Sequence, residues 1–400
     1  YYGANRSLKD YGRSEDLTYN TGLQYKAVLG NSSIIAGIEN TGGFLKVEKL
    51  GYPDYDNAYI ENDSILSVSH TLNTLIADQS SVTTGAFLQY DLRINRFKIG
   101  LGGRLDHYNI IDNTINTKAN TGIVFSPRIS FMYEVLPSLQ ARLSYSQGYR
   151  APQIFSEDMD TQTSGSRQVI IVNDPGLKQE TSHSFMASLD FNKRIGTVLT
   201  GLLVEGFYTR LENPFLNEIG VPDENGKVLY TRMNAKNGAV VKGINTELKI
   251  KPLKDYSFTS GFTIQTSKFD EEHEFNTRVF FRTPSDYGYF NMDWDFVRNA
   301  CFSLTGTYTG KMFIPYFGPN TDPDFGELRK SNPFFDLGSK IHYNFKLNGA
   351  TLQLFTGIKN IFNSYQSDFD SGINRDPAYV YGPVSPRSIY FGIKIGNHLK

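Results

Sequence analysis

The sequence predicts an all-β fold, a transmembrane antiparallel β-barrel, from three observations. Apolar and polar residues alternate along many windows, aromatic residues and glycine are abundant, and short turns alternate with long connectors. The 25 Tyr, 29 Phe and 36 Gly favour strands and tight turns. The 400 residues do not require several domains, because β-barrels run long as single units.

Composition excludes several other classes of protein. The 40 Lys and Arg are balanced by 41 Asp and Glu, so the positive charge that nucleic-acid binding needs is missing. The single thiol, Cys301, allows neither an internal disulfide nor a cysteine-based metal site. No apolar stretch is long enough for a membrane-spanning helix, although barrel strands stay allowed. The chain starts at Tyr1 without Met or a signal segment, which predicts that it is part of a longer protein.

A clear example of alternation lies between Phe97 and Asp106. Leu101 and Leu105 fall on one face of this window, and Arg104 and Asp106 fall on the other. Extended along the chain, the pattern predicts fifteen strands. They cover residues 17–29, 33–48, 82–94, 97–109, 123–136, 139–149, 178–194, 197–212, 238–251, 256–269, 278–296, 299–313, 333–346, 350–361 and 384–398.

Strand length and the charges on the polar face favour a membrane barrel over a soluble sandwich. Sandwich strands usually have about 5–6 residues, whereas these approach the ~9–11 residues that cross a bilayer at a tilt. The polar face has too many charges for a dry interior, so a wide lumen filled by water or a polar plug is expected. These charged residues are Lys98, Arg104, Asp106, Arg128, Glu134, Arg142, Asp190, Glu247, Lys249 and Lys394.

Four segments together resemble the barrel of TonB-dependent outer-membrane receptors. Their order and spacing agree with the family from about residue 82 to the end of the chain. The segments are Leu143–Pro152 followed by Glu157 and Leu177–Ser182, then Phe125–Ser130, Gly357–Asn363 and Gly382–Gly392. Two departures are Gln179, where the family usually has Pro, and the C-terminal residues 397–400, where an aromatic terminus is commoner.

The resemblance implies a 22-stranded barrel with an N-terminal plug, and residues 1–400 would be the C-terminal portion of that barrel. It implies active import of a scarce nutrient such as an iron-siderophore, haem or cobalamin, energised by the TonB complex through an N-terminal part outside this chain. The other implied partners are the lipid bilayer, lipopolysaccharide and a small-molecule or oligosaccharide ligand. A surface lipoprotein lid is a further candidate, and nucleic acid is not expected.

Candidate ligand contacts are the Arg, Gln and Tyr residues of the long connectors, because Tyr and Arg combine rigid contact area with hydrogen-bond donors. A structural alternative is that Arg150 pairs with Glu157 and that the aromatic connectors pack on one another to close the barrel mouth. The candidates are Arg150, Gln153, Arg167, Gln168, Tyr316, Arg329, Tyr365, Arg375, Tyr379 and Tyr381.

Neither a metal site, a cofactor nor catalysis is predicted. Solvated loop acids explain the Asp clusters better than Ca²⁺ ligands do, because a complete calcium loop is missing. These clusters are Asp54, Asp56 and Asp63, and Asp322 with Asp324. The adjacent pair Ser182 and His183 would face opposite sides of a strand, which argues against a nucleophile and its base. The alternatives to an importer are a surface glycan- or protein-binding β protein without transport, and a barrel enzyme acting on lipid.

Overall fold

The computed structural model describes residues 12–62, 64–113, 119–152, 168–221, 227–318, 321–322, 325–371, 376 and 378–396. Within these residues no helix has the length and apolar character needed to span a membrane.

The described residues form twenty-two strands. In chain order they are β1 Gly12–Leu29, β2 Ser32–Lys49, β3 Tyr59–Glu61, β4 Ser64–Ser67, β5 Thr74–Ile94, β6 Phe97–Asp112, β7 Asn120–Leu136, β8 Leu139–Arg150, β9 Gln168–Asn173, β10 Glu180–Ile195, β11 Val198–Glu212, β12 Phe215–Ile219, β13 Lys227–Asn234, β14 Ala239–Leu253, β15 Tyr256–Phe269, β16 Asp286–Val297, β17 Ala300–Thr309, β18 Phe313–Tyr316, β19 Glu327–Lys330, β20 Phe334–Leu347, β21 Ala350–Lys359 and β22 Ser388–Gly396.

One antiparallel sheet contains fifteen of these strands, and it confirms the fifteen predicted from alternation. The order across the sheet is β1-β2-β5-β6-β7-β8-β10-β11-β14-β15-β16-β17-β20-β21-β22. Several predicted bounds were wrong. β5 starts eight residues before the predicted residue 82, β16 starts at Asp286 rather than at residue 278, and β17 ends at Thr309 rather than at residue 313. Pro284 explains the start of β16, since proline cannot donate a hydrogen bond to the ladder.

The two ends of the sheet differ in their connections. Seven two-residue turns join strands at one end, and seven longer connectors join them at the other, as the sequence predicted. Tight hairpins often need a residue with left-handed backbone angles, and Gly and Asn adopt these angles most readily. Five of the seven turns contain a Gly or Asn with such angles: Gly30, Asn95, Gly196, Asn299 and Gly349. The longer connectors are residues 50–73, 113–119, 151–179, 213–238, 270–285, 310–333 and 360–387.

The two faces of the sheet have the polarity of a membrane barrel. Leu101, Leu143 and Phe262 are 47%, 60% and 41% exposed, whereas Asp106 on the other face is 2% exposed. A soluble sheet would bury the apolar face. We call the face with Leu101 the outward face and the face with Asp106 the inward face. The exposed apolar face therefore confirms the prediction that it is turned toward lipid.

An ion-pair network crosses three strands on the inward face. Arg104 of β6 donates from Nε to Asp106 Oδ1 at 2.8 Å, and its Nη1 lies 2.5 Å from Glu39 Oε2 of β2. Gly85 of β5 is directly opposite both carboxylate residues, Glu39 on one side and Asp106 on the other. The Arg104 side chain passes where a Cβ at Gly85 would be. Glycine at this position thus makes room for the network.

Seven short strands lie in the long connectors, where the sequence analysis predicted no strands. β3 pairs with β4, and β18 pairs with β19. β13 pairs antiparallel with β12 and parallel with β9, so residues from two different connectors share one small sheet. These small sheets give the long connectors fixed positions above the strand ends.

Candidate ligand-binding site at the long-connector end

A cavity of about 780 Å³ lies at the long-connector end of the sheet. Aromatic rings form much of its lining, and three arginines and three carboxylates accompany them. The aromatic residues are Phe215, Tyr230, Phe269, Phe280, Phe281 and Phe317, and the charged residues are Arg150, Arg232, Arg282, Glu180, Glu274 and Asp376. A concave site with aromatic walls and a few polar groups is the usual form of a small-molecule site.

Two carboxylates, one from a barrel strand and one from a connector, hold β12 at the edge of this cavity. Glu180, the first residue of β10, accepts a hydrogen bond from the Phe215 backbone N–H at 2.9 Å. Glu274 accepts one from the Ile219 backbone N–H, also at 2.9 Å. Both ends of β12 are therefore attached to other parts of the chain through charge-assisted hydrogen bonds, which are stronger than neutral ones.

Arg282 and Asp376 hydrogen-bond to backbone groups of three other residues that line the cavity, Phe317, Ala378 and Val380. The Arg282 guanidinium donates to the carbonyl oxygens of Val380 at 3.0 Å and of Ala378 at 2.6 Å. Asp376, which is buried, accepts hydrogen bonds from the backbone N–H groups of Phe317 and Ala378, both at 2.9 Å. Arg282 thus fixes the backbone at residues 378 and 380, and Asp376 fixes the backbone at Phe317, which belongs to a different connector.

Three tyrosines and one arginine pack together beside the cavity. We call Tyr316, Arg329, Tyr379 and Tyr381 the Arg329 cluster. The Arg329 guanidinium carbon lies 3.4 Å from the centre of the Tyr316 ring and 5.5 Å from that of Tyr379. Tyr379 makes edge-to-face contacts with Tyr316 and Tyr381, at centroid distances of 4.7 and 5.2 Å. Such geometry combines cation–π attraction with favourable ring packing.

Acidic and amide side chains complete the hydrogen bonding around this cluster. Tyr316 donates to Asp370 at 3.1 Å, and Tyr381 donates to Asp368 at 2.7 Å. Gln366 is 1% exposed and links three backbone positions: it donates to the Tyr379 carbonyl and accepts from the N–H groups of residues 381 and 382. The β18–β19 hairpin is therefore joined to residues 366–370 and 378–382 by both ring contacts and hydrogen bonds.

Burial and carboxylate partners raise the pKa of two tyrosines in this cluster, Tyr316 and Tyr381. Burial is the main cause that raises the pKa of Tyr381, and its hydrogen bond to Asp368 raises that pKa further. Burial and the bond to Asp370 likewise raise the pKa of Tyr316. The hydroxyls therefore remain hydrogen-bond donors to a higher pH than an ordinary tyrosine hydroxyl would.

A family model agrees with this fold over most of the chain. It is described as TonB dependent receptor-like, beta-barrel, and it matches residues 1–391. The chain belongs to this family. The resemblance seen in the four sequence segments is thus confirmed, and the protein is located in the outer membrane of a Gram-negative bacterium.

Individual relatives of this TonB-dependent receptor are distant. The iron-regulated outer membrane virulence protein of Vibrio cholerae serotype O1 is 26% identical over 255 residues, which are 61% of this chain and 35% of that protein. The structural match with the copper transporter OprC covers 97% of this chain and 57% of the OprC chain, with a TM-score of 0.67 and 12% identity. The match with the siderophore receptor PiuA of Acinetobacter baumannii covers 96% of this chain and 56% of the PiuA chain, with a TM-score of 0.65 and 12% identity. The chain thus spans about half the length of these structures and about a third of the relative.

The structure places five of the predicted ligand contacts in the cavity lining or in the Arg329 cluster. Arg150 lines the cavity, with its guanidinium carbon 5.7 Å from the centre of the Phe215 ring. Tyr316, Arg329, Tyr379 and Tyr381 form the Arg329 cluster, in which Tyr316 and Tyr379 are covered by protein. For these four, the structure shows the arrangement that the loop-packing alternative predicted.

Of the other predicted contacts, two lie among the described residues and three lie outside them. Tyr365 is half-buried next to Gln366. Gln168 starts β9, where its backbone pairs with Lys227 of β13. Gln153, Arg167 and Arg375 lie outside the described residues. Their role as ligand contacts stays a prediction.

Several cavity residues were missed by the sequence analysis. Phe215, Arg232, Arg282 and Glu274 have no motif around them, and the cavity forms only when separate connectors meet. The run Phe280-Phe281-Arg282 fell within the predicted strand 278–296, and only the later start of β16 at Asp286 places it in a connector.

Calcium binding has no support in the described part of the chain, which contains no group of three or more His, Cys, Asp or Glu arranged to hold a metal ion. Asp54 accepts a hydrogen bond from Asn57, and Asp322 accepts one from the Phe325 N–H. Asp63 and Asp324 lie outside the described residues.

The similar proteins are receptors and transporters, which favours a non-enzymatic function at the level of the family.

Proposed function

We propose that this chain is the C-terminal barrel portion of a receptor that actively imports a scarce nutrient, and that an iron chelate is the ligand. The aromatic cavity at the long-connector end carries the proposal, because its volume of about 780 Å³ suits a molecule of siderophore size. An iron-regulated relative, a siderophore receptor and a copper transporter among the similar proteins support a metal-containing ligand. Cobalamin, haem and oligosaccharides have no such support.

The cavity would bind such a ligand through stacking and charge. Phe215 and Phe317 offer apolar faces to flat ligand groups, and ring stacking adds to the free energy gained from buried area. Arg150 would donate hydrogen bonds to anionic oxygens of the chelate, since its planar fork suits oxygen pairs. The Arg329 cluster would act as a positioning element that holds the cavity wall formed by Phe317.

Energy for releasing the bound ligand into the barrel would come from the TonB complex, which would act on an N-terminal plug in the full-length protein. The inward face suits contact with a polar plug, because it presents ionised groups such as those of the Glu39–Arg104–Asp106 network. An apolar lining would not retain water or polar segments in a wide lumen. Residues 1–400 would then provide fifteen strands of the barrel wall and the connectors that join them.

The test is uptake of radioactive iron by cells that lack their own iron-chelate receptors and carry the full-length protein. A panel of iron-siderophores, haem and cobalamin is supplied at low concentration. We expect uptake of one iron-siderophore class, abolished when TonB is absent. The Phe215→Ala variant should bind that chelate at least about tenfold more weakly, because it loses stacking and buried area.

A matched control is Phe325→Ala, which removes an exposed aromatic ring outside the cavity lining and should leave binding unchanged. Equal uptake with and without TonB would contradict active import. Tight binding of a protein or glycan without uptake of any panel compound would instead support the alternative of a surface-binding protein without transport.

A further inference from the structure

We propose that the two-residue-turn end of the barrel is a docking surface for an anionic polymer of the periplasm, the carboxylate-bearing peptidoglycan of the cell wall. Short turns of outer-membrane barrels face the periplasm, and the cell wall is the layer beneath that membrane. The proposal rests on the charge of this end, on the absence of internal partners for that charge, and on its spacing. It needs only the location in the outer membrane, and it is independent of the proposed import function.

Charge is distributed unequally between the two ends of the sheet. The seven two-residue turns, taken with three residues on either side of each, contain nine Lys or Arg and three Asp or Glu. The seven long connectors contain 13 Lys or Arg and 21 Asp or Glu. The turn end is therefore positive, although the whole chain is almost neutral. We call its nine basic residues the basic rim: Arg93, Arg96, Lys98, Lys193, Arg194, Lys251, Lys254, Arg298 and Lys346.

The basic rim has few partners of opposite charge within the chain. Within the described ranges, Arg93 is its one member with an ion pair, at 3.6 Å from Glu134. All nine residues are exposed. Basic residues deeper on the inward face differ, because Arg104 and Lys249 are each bound to carboxylates of neighbouring residues. Cations that are collected at one end without counter-charges attract anions from outside the protein.

The spacing of the rim suits an extended ligand. Four of the basic turns belong to hairpins that follow one another in the sheet, β10–β11, β14–β15, β16–β17 and β20–β21. Neighbouring strands are about 4.8 Å apart, so neighbouring turns stand about 10 Å apart and the four turns extend over about 30 Å. Within this arc, Arg194 and Lys251 lie on either side of Leu199, with which both pair. The charges thus form a line rather than one compact pocket.

Position and chemistry favour a polymer over a phospholipid or a folded acidic protein. Arg194 and Lys251 lie on the inward face, which is turned away from the headgroups of the surrounding bilayer. None of the seven two-residue turns contains a large apolar residue, whereas protein interfaces depend on buried aromatic or aliphatic anchors. A polymer with a carboxylate on each repeating unit needs only repeated cations. Peptidoglycan meets this requirement and lies parallel to the membrane.

The experiment measures how much full-length protein in mild detergent sediments with purified peptidoglycan sacculi. The test variant combines four substitutions at exposed rim residues: Arg96→Gln, Lys193→Gln, Lys254→Gln and Arg298→Gln. The matched control also removes four positive charges, at exposed residues of the long connectors: Lys178→Gln, Lys236→Gln, Lys311→Gln and Arg387→Gln. We expect the affinity for sacculi to fall at least about fivefold in the test variant, because several weak surface contacts are lost together. The control should bind as the unmodified protein does.

Two measurements on the unmodified protein do not depend on the folding of any variant. Sacculi whose carboxyl groups have been converted to amides should no longer bind the protein, and added salt should release it from untreated sacculi, because screening weakens exposed charge contacts. Equal binding of the test and control variants would overturn the proposal, as would binding that persists after amidation. Competition by phosphatidylglycerol in the micelles would assign the rim to lipid instead. Unchanged sedimentation with a lowered melting temperature in the test variant would assign it to contacts within the full-length protein.

Discussion

Arg329 lies flat against Tyr316, with its guanidinium carbon 3.4 Å from the ring centre. Both residues belong to the β18–β19 hairpin, and Tyr379, from a connector about fifty positions later in the sequence, packs against them. This stack joins two long connectors of the barrel mouth. Its stability should therefore decide how firmly the wall of the ligand cavity is held.

Replacing Arg329 with Ala should loosen this wall without unfolding the barrel. The variant loses a partly desolvated cation–π contact worth about 1–2 kcal/mol, so local opening of residues 312–317 and 378–382 should become roughly tenfold more frequent. Hydrogen–deuterium exchange of these segments measures the effect. Lys311→Ala, at an exposed residue of the same connector, is the control. Unchanged exchange in Arg329→Ala would show that the stack does not hold the connectors.

Substitution of Gly85 with Ala should destabilise the barrel. The new Cβ would overlap the Asp106 carboxylate and the Arg104 guanidinium, and overpacking of this kind costs about 1–3 kcal/mol. The temperature at which the barrel unfolds in detergent gives the measurement. Gly206→Ala is the matched control, because a Cβ there meets no atom within 4 Å. Equal melting temperatures for the two variants would refute the role of Gly85.

The Arg329 cluster should be stable at neutral pH and weaken only in strong alkali. The pKa of Tyr381 is raised in the folded protein, by burial first and by Asp368 second. Its contribution to stability is therefore complete below the pKa of an unfolded tyrosine, about 10, and is lost as the pH rises through the higher folded value. Absorbance of tyrosinate in the native protein and in Tyr381→Phe measures this. A difference transition at or below pH 10 would contradict the prediction.

Loss of the Glu274 carboxylate should weaken ligand binding through β12. In Glu274→Ala the Ile219 N–H loses its acceptor, at a cost of about 1–3 kcal/mol, and Phe215 on the same strand becomes less well positioned. We expect about tenfold weaker binding of the chelate identified in the uptake assay, with little change in barrel stability. Glu274→Gln keeps an oxygen acceptor and should bind the chelate nearly as well as the unmodified protein. Equally weak binding in both variants would point to charge rather than positioning.

The barrel strands were predictable because their physical signal is local and repeated. Alternation of apolar and polar residues extends over whole strands such as β6, so fifteen windows were enough to place fifteen strands. Alternation does not reveal a strand that is only a few residues long. β18 and β19 have four residues each, too few for a period to stand out, and the predicted strand from residue 278 ran through Pro284.

The candidate site was predictable in residue type but less so in arrangement. Tyr316, Arg329, Tyr379 and Tyr381 were selected as ligand contacts, with packing of the connectors on one another as the alternative. In the structure they pack on one another, since rings and a guanidinium bury apolar area together as readily as they bind a ligand. The partners of Glu274 and Arg282 are backbone groups of other connectors. Sequence has no pattern for such partners, because any residue can supply a backbone N–H or carbonyl.

The order of strands in the large sheet follows the order of the chain, and each barrel strand pairs only with the barrel strands immediately before and after it. A meander of this kind has no crossover that must be threaded before later strands can pair. Adjacent hairpins can therefore be inserted into a bilayer one after another, each using the previous strand as its template. Evolution can also widen or narrow such a wall by duplicating or deleting one hairpin, without rearranging the hairpins that remain.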